Sequence, residues 1–61
     1  MSEYQIELVL KTGHTVIGEA DDEVTALDFM DKAMRRYPTS HIRIQRGFTI
    51  VAERVPPRTP R

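Results

Sequence analysis

Only one stretch of this chain carries a helical period, DDEVTALDFMDKAMRRYP at 21–38. It is set between two stretches that alternate apolar and polar residues. That arrangement leaves few folds open. A 61-residue chain holds one domain, and a lone helix can bury its apolar stripe only against the sheet its neighbours build. Ala26, Leu27, Met30, Ala33, Met34 and Tyr37 fall on one helical stripe. Val24 and Phe29 flank it on opposite sides, with Phe29 at the rim of the core or outside it. Asp21 or Asp22 caps the N-terminus through a side-chain oxygen. Pro38 ends the helix, because it disfavours helical geometry at Tyr37.

Four strands follow from period-two patterning. In YQIELVLK, Tyr4, Ile6, Leu8 and Leu10 point one way and Gln5, Glu7, Val9 and Lys11 the other. HTVIGEA is the second strand, interrupted by Gly18; HIRIQ is the third and FTIVAERV the fourth. A two-residue Arg46-Gly47 loop between the last two would put Ile42 and Ile44 on the face opposite Phe48, Ile50 and Ala52. A three-residue Gln45-Arg46-Gly47 loop, closing on a left-handed glycine, pairs Ile44 with Phe48 and Ile42 with Ile50. All the apolar residues then share one face, so Phe48 is expected beneath the helix. The first hairpin, LKTGH, has the same spelling. A Lys11-Thr12-Gly13 loop pairs Leu8 with Val16, a Thr12-Gly13 loop pairs Leu8 with Ile17, and both partners are apolar.

The first and fourth strands are the longest and most apolar, and each carries an outward valine, Val9 and Val51. The second holds Gly18 and the third turns Arg43 outward, which suits edges. The expectation is an α+β domain, ββαββ, over residues 1–55. Its four-stranded mixed sheet has the order 2-1-4-3, a parallel central pair and the helix on one face. Over residues 4–55 this layout resembles the β-grasp fold, and in size and element order it is similar to the immunoglobulin-binding domains of protein G. The resemblance lies in the order of elements and transfers no binding residues. Residues 56–61, PPRTPR from Pro56 to Arg61, read as a flexible tail. From Arg54 to Pro60 the chain also spells R-x-x-P-x-x-P, similar to ligands of SH3 domains, but Arg54 falls in a strand.

Chemistry is sparse. With no cysteine there is neither a disulfide nor a thiolate metal site, which fits a cytoplasmic setting. No apolar run approaches the roughly 20 residues of a membrane span, and no basic region precedes an apolar stretch at the N-terminus. His14 and His41 fall on opposite edges of the expected sheet, about 14 Å apart, too far for one metal; they could approach only if the second and third strands were neighbours, which keeps metal binding as a third reading. No hydroxyl has a visible activating neighbour. Asp28 and Asp31 read as solvated helix residues, and three scattered glycines make no phosphate cradle. The chain is therefore expected to be no enzyme and to carry no cofactor.

What remains is contact. The net charge is zero, but residues 1–31 carry −7 and residues 32–61 carry +7. Acids in the first turns of the helix and Lys32, Arg35 and Arg36 in its last complement the helix dipole; Arg43, Arg46, Arg54, Arg58 and Arg61 are left over. The outer sheet face is expected to show Val9, Thr15, Ile17, Thr49 and Val51 among Glu7, Arg43 and Glu53. The reading is a small non-catalytic protein-binding module, an adaptor or inhibitor of accessory or viral kind. It would use that face, an edge strand and Phe29, with Val9, Ile17, Phe29, Arg43, Thr49 and Val51 as contact residues. The partner is another protein or a second copy, and no membrane is involved. The alternative is a nucleic-acid-binding protein that uses Arg43, Arg46, Arg54, Arg58 and Arg61.

Overall fold

The computed structural model describes residues 3–56. Strands β1 (Tyr4–Leu10) and β2 (Gly13–Ala20) form a hairpin, α1 (Glu23–Arg36) follows, and β3 (His41–Arg46) and β4 (Thr49–Arg54) form a second hairpin. The class is α+β: one sheet of four strands with one helix. The strand order is β2-β1-β3-β4, and all three pairings are antiparallel. This corrects the expected 2-1-4-3 order, its parallel central pair and the likeness to a β-grasp sheet. The third strand is central for two reasons. Ile42 and Ile44 are fully buried. Arg43, which suggested an edge, faces Glu7 of β1 across the sheet and donates to it from Nε over 2.7 Å.

The helix forms where its period predicts. Asp22 is the N-cap, its Oδ1 accepting from the Thr25 backbone N–H at 2.7 Å. That hydrogen bond holds the Asp22 carboxyl below the usual carboxylate range. Tyr37 closes the C-terminus, its N–H donating to the Ala33 carbonyl. Ala26, Met30 and Ala33 are buried against Tyr4, Ile6, Ala20, Ile42 and Ile44. The helix lies over β2, β1 and β3, and Val51 and Ala52 of β4 pack against the edge of the core.

Both hairpins turn differently from the sequence reading. Leu10 pairs with Gly13 across a two-residue Lys11-Thr12 loop, and Arg46 pairs with Thr49 across Gly47-Phe48. Gly47, at φ 60°, takes the first central position of its turn, where the II′ type of hairpin turn holds glycine. Phe48 takes the second and is fully exposed, not beside Ile44. These short turns would leave the far halves of β2 and β4 on the wrong face, and one bulge in each strand restores them. Ile6 pairs with Gly18 while Glu7 pairs with Val16, so Ile17 is the extra residue. Ile44 pairs with Ala52 while Gln45 pairs with Ile50, so Val51 is the extra residue. A bulge lets the strand bend and re-aims the extra side chain. Ile17 and Val51 accordingly pack against the core on the helix side and not on the outer face. Thr15 pairs with Leu8, and Thr49 with Arg46 beside Tyr4, so both also belong to the helix side.

Candidate protein-contact surfaces

The face of the sheet opposite α1 is a charged lattice. Glu7 sits at its centre and is 2% exposed although no element covers that face. Its Oε1 accepts from Arg43 Nε at 2.7 Å, and its Oε2 lies 3.5 Å from His14 Nε2. Arg43 is also the cross-strand neighbour of Glu53, whose Oε2 lies 2.7 Å from His41 Nε2. A buried carboxylate needs such a partner, since its desolvation otherwise goes uncompensated. Of the outward contact residues read from the sequence, Val9 and Arg43 lie here. Val9 is half-buried between His14 and His41, which flank it as its pairing partners on β2 and β3. The two histidines are two strand spacings apart, about 10 Å. Among the described residues no group of three or more metal-ligating side chains is brought together.

Among the described residues the arginines do not converge on a common patch. Arg43 belongs to Glu7. Arg46 reaches Glu3, with Nη2 and Oε2 3.4 Å apart, and lies over the Tyr4 ring. Arg54 is half-buried on the helix side of β4, opposite Ile42, and its Nη1 has no hydrogen-bond partner among the described residues. Arg58, Arg61 and the tail pattern that ends at Pro60 lie outside the described residues. Asp28 and Asp31 pair with Lys32 and Arg35 one helical turn on, at 3.2 and 3.4 Å.

Phe29 packs inward. A Cβ on Gly18 would come within 2.3 Å of the Phe29 ring, so the bare glycine is the seat of that ring on β2. Phe29 also lines an open hollow of about 320 Å³ with Ile17, Lys32, Ala33, Arg36 and Tyr37. The hollow lies along the flank of α1 that faces β2. Lys32 at its rim is held by Asp28, and the Arg36 guanidinium sits 5.9 Å from the Tyr37 ring centroid.

The β3–β4 hairpin is the least satisfied part of the surface. Phe48 at its tip is fully exposed, Ile50 on β4 is about half exposed, and Val55, just after β4, is largely exposed. β4 is an edge strand that α1 leaves outside its span. From Thr49 to Ala52 it carries neither a charge nor a proline, two of the usual means by which proteins protect an edge. Phe48 and Ile50 are the surface residues that reading the sequence missed. Their signal was Gly47-Phe48 taken as a glycine-first two-residue turn, which sends Phe48 to the tip. No helix among the described residues is long and apolar enough to cross a membrane. Set against protein-family models, curated proteins and solved structures, the chain matches nothing in any of the three.

Proposed function

We propose that the protein is a non-catalytic protein-binding module whose contact element is the β3–β4 hairpin. The observation that carries this reading is Phe48, wholly in water at the tip of a two-residue turn that requires glycine at its other position and nothing apolar here. Burying a phenylalanine is worth about 1.5–3 kcal/mol, and exposed aromatics of this kind anchor protein interfaces. The neighbouring edge of β4 offers main-chain donors and acceptors to an added strand. The outer sheet face supports the reading by contrast: its central charges, Glu7 and Arg43, are already paired with each other, so its centre has less to gain from a partner.

The test is affinity capture from the native host's lysate with the full chain and its Phe48→Ser variant as baits. Because Phe48 touches no core residue, far-UV circular dichroism of the variant should match that of the parent. A partner retained by the parent and lost by the variant supports the hairpin as contact element. Equal retention by both baits refutes it.

A further inference from the structure

We propose that the free edge of β4 pairs with β4 of a second copy of this chain, antiparallel, about a two-fold axis between Val51 and Ala52. This rests on the hairpin being the contact element and names its partner. The Val51 bulge carries the inference. Ile50 and Glu53 sit on the outer face, opposite Gln45 and Arg43; Thr49, Ala52 and Arg54 sit on the helix side, opposite Arg46, Ile44 and Ile42. Val51, the extra residue, packs on the helix side as well. From Thr49 to Arg54 the faces therefore read helix, outer, helix, helix, outer, helix. That order is the same in both directions, with its centre between Val51 and Ala52.

Residues opposed in an antiparallel pair must share a face of the sheet. A regular strand meets that condition with a copy of itself only when the axis passes through a residue. The bulge moves the permitted axis to the gap after Val51. There Val51 opposes Ala52, Ile50 opposes Glu53, Thr49 opposes Arg54, and one step further out Phe48 opposes Val55. Centring on Val51 instead would set Ile50 against Ala52, and centring on Ala52 would set Val51 against Glu53; in each case the two sit on different faces.

The permitted register also makes chemical sense. It brings together Phe48 and Val55, the two most exposed apolar side chains of this hairpin and its C-terminal end. It sets the Thr49 hydroxyl, a hydrogen-bond acceptor, opposite Arg54, whose Nη1 is buried with no partner among the described residues. The other edge, β2, has the same kind of bulge, but its matching register sets Val16 against Glu19 and His14 against Asp21 and contains no aromatic. A two-fold pairing uses both β4 edges, so assembly closes at two copies. The product is one eight-stranded sheet with both helices on the same face.

Light scattering of the full chain from micromolar to millimolar concentration is expected to show a dimer. Phe48→Ser should weaken dimerisation about 100-fold or more, since each dimer buries two copies of the ring. The register is tested by cross-linking, for which the absence of native cysteine is convenient. Oxidation of an Ile50→Cys, Glu53→Cys variant, which keeps Phe48, should give a covalent dimer, and an Ile50→Cys, Val55→Cys control should not. Within one chain positions 50 and 53 are about 10 Å apart along the strand, too far for a disulfide, so the bond must join two copies. A monomer at millimolar concentration, a dimer indifferent to Phe48→Ser, or equal cross-linking of the two pairs overturns the proposal. A monomer whose capture of a lysate partner still depends on Phe48 overturns only the second copy and leaves the hairpin reading standing. A monomer whose capture ignores Phe48 removes both.

Discussion

Replacing Arg43 by methionine isolates the interaction on which the sheet's centre depends. The substitution keeps the length of the aliphatic stem and removes the guanidinium. It leaves the Glu7 carboxylate, on a side chain only 3% exposed, with His14 Nε2 at 3.5 Å as its remaining neighbour. Removing one partner of a buried ion pair costs about 3–5 kcal/mol. The lower end applies here, because Arg43 is itself partly exposed and His14 stays close. A domain of this length has a total stability of roughly 3–9 kcal/mol. A loss of about 3 kcal/mol is therefore a large share of the whole, and corresponds to a fall in melting temperature of roughly 12–24 °C.

Urea unfolding followed by far-UV circular dichroism measures the loss directly. The informative companion is the double variant Glu7→Leu, Arg43→Met, which removes both charges together. Replacing a whole buried pair by apolar residues is often neutral or stabilising, so the double variant should be more stable than Arg43→Met alone. A loss below about 1 kcal/mol for Arg43→Met, the range of exposed ion pairs, would refute the reasoning. It would mean that water reaches Glu7 and that the pair does not hold β3 beside β1.

Two further substitutions probe the helix and its seat. Gly18→Ala should destabilise by about 1–3 kcal/mol, since the added methyl overlaps the Phe29 ring; thermal melts should show the cost disappear in a Phe29→Leu background, and an equal cost in both backgrounds would refute the packing. Asp22→Ala should lower the melting temperature by removing the cap on Thr25. The folded Asp22 carboxyl titrates below its ordinary value of 3.8, so its charge-dependent contribution is complete above that pH and is lost as pH falls through the folded value. The gap between parent and variant should accordingly narrow from pH 7 to pH 2, and a gap of constant size would show that the carboxylate's charge is not its source.

The helix was legible because three independent signals coincide in it: the apolar stripe, the acidic cap and Pro38. The core isoleucines Ile6, Ile42 and Ile44 were legible for the same reason, each sitting mid-strand on the apolar alternate. Strand order was not. An outward arginine on a short strand fits an edge, but it fits a central strand equally well when a glutamate faces it, and facing residues are not visible along a chain. Hairpin register was not legible either. Counting from the turn assumes an unbroken alternation, whereas Ile17 and Val51 each break it once. The placement of Phe48 failed on a further assumption, that an apolar residue next to a strand must be buried; the turn sends it outward whatever its hydrophobicity. The candidate surface was thus misplaced by the residues that define it, while Arg43 and Val9 were correctly set on the outer face.

The division of charge along the chain takes on a different meaning in the fold. Four ion pairs join the acidic first half to the basic second half: Glu3 with Arg46, Glu7 with Arg43, Asp28 with Lys32 and Asp31 with Arg35. The first two lie across β1 and β3. Four side chains that suggested an acidic and a basic pole are instead spent on stitching the central strands together. This favours β3 over β4 as the neighbour of β1, because Thr49, Ile50 and Val51 offer Glu3 and Glu7 no cation. The same preference leaves β4 at the edge of the sheet. The free edge of β4 therefore follows from the pairing of Glu7 with Arg43 that places β3 inside, whereas the exposure of Phe48 follows from its turn.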